Sequence, residues 1–388
     1  MATLKSSQIM IMAVTAGIAV ANVYYSQPIL TAISGSFHIS GEKAGNISVL
    51  SQIGYGIGLF FLTPIGDMIN RKRLILYLQL GLIASLLLIG FSSDIASLYV
   101  GSLLVGVFAV VAQVILPMAA SLVTVNRGKV VGQIFTGILV GILVARVFSG
   151  FITNWLGWHY VYLISAAMVA FTTVLMQADF PNVAERFTGS YGSLLKSTLF
   201  QLKRFPLLRQ TALTGMLAFG TLSAFWVTLT FYLSDAPFNF SASKIGLFGL
   251  LAAAGALVAP VFGKLADKGS PFKSLLFSTG LTLIGILVLI IFPAAIAAIW
   301  LTVILLDVGV QATQVTNIAV IYGLDQQANS RINTVYMTSY FIGGALGAFL
   351  AIKFYNIGGW QWATSLMAIL ALLAIINVAS AYKKLNKK

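Results

Sequence analysis

Asp307 stands near the middle of an apolar run, residues 300–322, that reads WLTVILLDVGVQATQVTNIAVIY. A carboxyl inside such a run can carry a proton, bind a cation or accept hydrogen bonds, provided that something polar faces it. Gln311 and Gln314 follow at i+4 and i+7, so at roughly 100° per residue the three side chains share one helix face. The run is long enough to cross a bilayer, which takes about 20 residues. An unpaired carboxylate at that depth costs a few kcal/mol or more, so the stripe must face protein or water rather than acyl chains. Arg146 is the matching cation in another apolar run. It follows a seam of small residues, Gly137, Gly141 and Ala145, and points away from it, at a depth close to that of Asp307. Two readings are open. Either Arg146 holds an anionic substrate group or biases the protonation of Asp307, or the two form a structural ion pair, with Arg146 alternatively reaching out to the membrane surface. Desolvation favours the neutral form of a carboxyl and a nearby guanidinium the charged form. An acid that alternates between wet and dry settings therefore loads and releases a proton. The plainer alternative is an acid that binds substrate without titrating.

The elements that must position these groups are membrane helices. The chain has 388 residues, of which 59% are hydrophobic and 8% charged, with a mean hydropathy of +0.96. A soluble protein carries about 25% charged residues, so lipid is the solvent for most of this surface. Barrel strands would alternate apolar and polar residues over about ten positions, whereas these runs are continuously apolar. The formal charge of +14 does not suggest nucleic acid, because the basic residues lie in short loops between spans. With no cysteine, thiol chemistry and Cys-based metal sites are excluded. His38 and His159 fall in separate loops with no metal-ligand spacing. No phosphate loop and no triad spacing is present, and the spans hold no second acid, histidine or metal cluster. The chain is therefore read as no enzyme, with no cofactor and with an ion gradient or the substrate's own gradient as its energy source. An N-terminal signal peptide is rejected, although Ala19-Val20-Ala21 resembles a cleavage site, because the apolar run continues beyond it.

Twelve spans are predicted, near 9–33, 44–66, 74–92, 96–122, 129–156, 159–178, 210–234, 243–266, 272–293, 297–322, 330–355 and 359–382. Nineteen lysines and arginines fall on the side of the chain termini and three (Lys43, Lys244 and Lys353) on the other, which predicts that both termini are cytoplasmic. Residues 1–178 and 210–388 are read as two six-helix bundles joined by a cytoplasmic linker, 179–209. In that linker Leu195, Leu199 and Leu202 recur beside Lys196, Lys203 and Arg204, which suits either an amphipathic helix on the leaflet surface or a flexible polar tether. The halves repeat. Asp67 recurs as Asp267, each before basic residues. Gly137 and Gly141 recur as Gly343 and Gly347, and Gly157-Trp158 as Gly359-Trp360. Such near-constant offsets predict duplicated units with a site at the midplane between them. Pro28, Pro117 and Pro260 are expected to kink their helices.

On these residues the chain resembles the major facilitator superfamily over essentially its whole length. The loop after span two carries the most specific likeness. The family pattern is Gly-x-Leu-Ala-Asp-Arg-x-Gly-Arg-Arg. Here Thr63-Pro64-Ile65-Gly66-Asp67-Met68-Ile69-Asn70-Arg71-Lys72 keeps the aspartate and the basic pair and departs at Thr63, Met68 and Asn70. Gly263-x3-Asp267-Lys268 keeps the Gly-to-Asp spacing in the second half. Asn22-Val23-Tyr24-Tyr25-Ser26-Gln27-Pro28 is similar to a branch of bacterial efflux permeases, as is span five with Gly137, Gly141 and Arg146. Drug:proton antiporters usually have Gly-Pro in span five, where Ile142 follows Gly141 here.

The resemblance implies an all-α membrane protein with twelve transmembrane helices in two pseudo-symmetric bundles. It implies a monomer in the bacterial inner membrane that exports a drug-like, sugar-like or metallophore-like solute against protons. It also implies a cavity lined by spans one, four, seven and ten, hence by Asn22, Tyr25, Gln113, Trp226, Gln311 and Gln314, with Tyr336 and Tyr340 of span eleven going to either cavity or packing. Gly343 and Gly347 are expected at a seam between the halves. Asp67 with Arg71, and Asp267 with Lys268, are expected to latch the halves on the cytoplasmic side. The alternatives are an importer or facilitator in which Asp307 and Arg146 bind an anionic or zwitterionic nutrient, and a transport-dead membrane receptor.

Overall fold

The computed structural model describes residues 4–123, 127–180, 189–252, 270–325 and 328–385. Asp267, Lys268, Gly263 and Pro260 lie outside these residues. Among those described, nine helices are long and apolar enough to cross a membrane, with Ser6–Ala21 and Ala242–Leu251 as shorter apolar helices. The chain is all-helical, with twelve spans in two six-helix bundles. The fifth and sixth spans, Arg127–Leu156 and Trp158–Asp179, are joined by Gly157 at φ 98°. The eleventh and twelfth run as Asn329–Leu385, turned back at Gly358 and Gly359, the latter at φ 66°. A positive φ is costly for a residue with a Cβ, so Gly-Trp recurs where each half makes the same hairpin.

The first span is broken. The helix Ser6–Ala21 ends at Asn22, a 3-10 turn follows at Gln27–Ile29, and Leu30–Phe37 resumes. Pro28 has no N–H to donate and so cannot continue the ladder. The fourth span is likewise two pieces, Ile95–Phe108 and Val111–Leu122; Pro117 lies inside the second.

Each bundle has a seam of backbone contact between equivalent spans, and the two seams correspond. A Cβ on Gly137 would meet the Ala13 carbonyl oxygen at 2.5 Å, and one on Gly141 would collide with the Gly17 carbonyl. In the second half, Gly343 and Gly347 lie against Met216 and Gly220 of the seventh span, Pro206–Ser234. The expected seam between halves for Gly343 and Gly347 is thus corrected: it lies inside the second bundle, because spans eleven and seven repeat the packing of spans five and one. Where the halves do meet closely, the eighth span packs on the fifth, with Gly246 against the Arg146 carbonyl. The eleventh packs on the second, Gly41–Phe61.

The two ends of the molecule differ. At the end away from the chain termini, here called the far end, Ser234 donates to Thr31 at 3.3 Å across the halves. Glu42 there pairs with Lys353 and accepts from Asn356 at 3.0 Å. At the terminal end the linker forms a helix, Tyr191–Arg204, whose buried face is Leu194, Thr198 and Gln201. Arg204 pairs with Asp325 at 2.6 Å, and Tyr191 donates to the Phe61 carbonyl at 2.7 Å.

Candidate functional site

Arg146 is 2% exposed and lies where the halves meet. Its guanidinium carbon sits 3.9 Å from the ring centroid of Trp226 on the seventh span and 5.4 Å from that of Tyr24 on the first. Its Nε–H donates to Gln27 Oε1 at 3.0 Å. A cation over an indole gains about 0.5–2 kcal/mol, more as water is removed, so aromatic faces offset part of what burial of this charge costs. Asp307, on the tenth span Ile296–Tyr322, is 4% exposed. Its Oδ2 and the indole N–H of Trp226 are both buried and face each other without a well-formed hydrogen bond. Among the described residues three ion pairs are in contact, and Arg146–Asp307 is not one of them.

Both groups open onto one narrow cavity with room of about 70 Å³ for water-sized groups. Its wall is aromatic and amide. Tyr24, Tyr55, Phe135, Phe219, Tyr340 and Phe341 supply rings, and Gln113, Gln311 and Gln314 supply hydrogen-bonding groups. The rings brace one another: Phe219 stacks on Tyr340 at 4.1 Å, and Tyr55 lies 4.2 Å from Phe341 across the halves. Gln314 reaches Met337 Sδ at 3.8 Å. Such a chamber, apolar with a few convergent polar groups, is the usual form of a small-molecule site. Among the described residues no cluster of metal-binding side chains occurs.

The model of the Major Facilitator Superfamily matches residues 12–328. The chain belongs to this superfamily. It is 37% identical over 374 residues, 96% of this chain and 95% of the relative, to the uncharacterized transporter YgaY of Escherichia coli O157:H7. It is 30% identical over 233 residues, 58% of this chain and 56% of the relative, to the multidrug resistance protein MdtG of Proteus mirabilis. The crystal structure of the nucleoside transporter NupG superposes with a TM-score of 0.76 at 11% identity, covering 96% of this chain and 98% of that one. As a superfamily member the chain is a multi-pass membrane transporter, not an enzyme, and needs no cofactor.

In this transporter Arg146, Asp307, Gln113, Gln311 and Gln314 line one cavity, and Trp226 lies beneath Arg146. Of the expected cavity residues, Trp226 is thus buried behind the lining, and three more are elsewhere. Asn22 donates to the Ile18 carbonyl at 2.7 Å and accepts from Ser165 of the sixth span at 2.8 Å, inside the first bundle. Tyr25 packs on Phe148 at 5.5 Å. Tyr336 is fully buried against Gly215 and receives the Asn317 amide at 3.3 Å, inside the second bundle. Regular helix spacing put Asn22 and Tyr25 on a common face, but the helix ends at Ala21, and the turn rotates Tyr24 into the cavity instead. On span eleven it is Tyr340 that lines the cavity.

The latch expectation also changes. Arg71 binds Asp67 at 2.9 Å, the Gly66 carbonyl at 3.0 Å and the Pro117 carbonyl at 3.0 Å, all within the first bundle. These bonds fix the loop to the fourth span, and none of the three reaches the other half, because Arg71 is buried and turned inward. The 3-10 turn Thr63–Asp67 itself touches the eleventh span and the linker helix. Asp267 and Lys268, the other half of that expectation, lie outside the described residues.

The residues missed in the sequence are Gln27 and Tyr24. Gln27 had a usable signal: a polar residue directly before the proline that breaks a membrane helix sits where backbone and side chain are both free to bind.

Proposed function

We propose that this transporter exports a small organic solute in exchange for protons by alternating access, with Asp307 as the proton carrier and Arg146 as its partner. The observation that carries the reading is the opposition of these two charges across the halves: Arg146 comes from the first bundle, Asp307 from the second, and both face one cavity. Rocking of the bundles changes their separation and therefore the state of the carboxyl. The lysine and arginine asymmetry supports a cytoplasmic location for both termini in the bacterial inner membrane, so the far end faces outward and is shut here. Export is supported by the span-one and span-five likeness to efflux permeases and by the relation to a multidrug resistance protein. The aromatic and amide wall suits a solute with a flat apolar body and a polar edge.

The test is flux in everted vesicles under an imposed pH gradient, screened with drug-like, sugar-like and metallophore-like solutes. Asp307→Asn should abolish gradient-driven uptake of the transported solute and leave counterflow exchange intact. Equal gradient-driven uptake by variant and wild type would overturn the assignment.

A further inference from the structure

Gln27 is engaged at both of its ends. Its side-chain Oε1 accepts the Nε–H of Arg146 at 3.0 Å, and its backbone carbonyl accepts the Thr230 hydroxyl at 2.7 Å. It is 2% exposed and opens the 3-10 turn that Pro28 forces on the first span. Thr230 also donates to the Trp226 carbonyl at 3.3 Å, one turn earlier on the seventh span, and Trp226 is the ring under Arg146. Gln27 and Arg146 belong to the first half, whereas Thr230, Trp226 and Asp307 belong to the second. Arginine has a long flexible stem. Untethered, it would follow a departing carboxylate, and rocking would leave the two charges together.

We propose that Gln27 is a positioning residue: its side-chain amide ties the Arg146 guanidinium to the first half, so that opening of the far end carries Asp307 away from the arginine and closure, docked on the Gln27 carbonyl through Thr230, brings it back. The inference rests on the proton-exchange reading. With the far end open, Asp307 is removed from the cation and takes a proton from outside. With the far end closed, the cation is presented again and the proton leaves to water on the terminal side. The other titratable groups that line the cavity with this pair among the described residues are Tyr24 of the first span, Tyr55 of the second and Tyr340 of the eleventh. The eighth span contributes glycines at Arg146.

The test needs no substrate. The chain has no cysteine, so Thr31→Cys at the far-end contact reports opening through labelling by a membrane-impermeant maleimide in proteoliposomes, normalised to exposed Ser241→Cys. Because protons bind better to the far-open state, labelling should rise on acidification by about fivefold or more, the low end of ordinary coupling between sites. Asp307→Asn should make labelling independent of pH. Gln27→Met, which keeps the volume and removes the acceptor, should flatten the dependence; Gln27→Asn, one methylene too short, should do the same and carries the test if the first variant does not fold. In an Arg146→Gln background neither change should have further effect. A wild-type pH dependence in both Gln27 variants, or an equal effect without Arg146, overturns the role of Gln27 while leaving Asp307 in place. Persistence of the dependence in Asp307→Asn overturns the proton-carrier reading itself, and the tether with it.

Discussion

A guanidinium held over an indole and donating to one amide is fixed in position as well as in charge. Lysine could supply the charge at Arg146, but a compact ammonium cannot both stack on Trp226 and meet Gln27 Oε1 in a fixed plane. Arg146→Lys is therefore expected to transport no better than Arg146→Ala under a pH gradient, and full activity in the lysine variant would show that charge alone suffices. Around this centre Gln113 bonds with Tyr55 and Gln314 reaches Met337 Sδ, while Gln311 lines the cavity and is available to a solute. Replacing Gln311 with Leu should weaken binding of a solute that meets it by about 1–3 kcal/mol, the cost of an unmatched buried polar group, read as a roughly fivefold or larger rise in the half-saturating concentration.

Helices here earn their closeness from missing side chains. In lipid no hydrophobic force pulls helices together, so contact depends on packing, and Gly137 and Gly141 let the fifth span touch the first backbone to backbone. Gly141→Leu must separate the two spans, with overpacking of about 1–3 kcal/mol, and should lower the thermal unfolding temperature of the purified protein. Gly347→Leu should do the same in the second half, because it meets the Gly220 backbone. Gly132→Ala is the control, since nothing lies within 4 Å of a Cβ there; a loss as large as that of Gly141→Leu would mean that the seam is not what the glycines serve.

Seen whole, the molecule is held at the far end by contacts that rocking must break, chiefly Glu42 with Lys353 and Asn356, and Ser234 with Thr31. The ion pair is exposed, so its contribution is about 0–1 kcal/mol and salt-sensitive. That is small for stability but large enough to bias two states of similar energy. Glu42→Lys should raise maleimide labelling of Thr31→Cys severalfold, and adding Lys353→Glu should return it. Unchanged labelling in the single variant would remove the pair from the gate. At the other end Arg204 with Asp325 ties the linker helix to the connection between spans ten and eleven, and Tyr191 ties it to the end of span two.

Much of this was determined by composition and period. The spans, their all-helical nature, the internal repeat and the two charges in apolar runs follow from the sequence, because lipid excludes polar groups and so leaves a continuous apolar run wherever a helix crosses it. The pairing of Gly-Trp turns was visible too, since only glycine adopts their backbone easily. Tertiary structure alone decided which neighbours each face meets. Asn22 and Tyr25 turn into the first bundle because the helix breaks one residue earlier, a rotation that regular spacing does not contain. Tyr336 and Tyr340 share a face by spacing, yet one is closed off by Gly215 and Asn317 while the other meets open space. Whether Arg146 rests on aspartate or on tryptophan is likewise set by how two bundles dock, and docking depends on contacts between residues hundreds of positions apart in the chain.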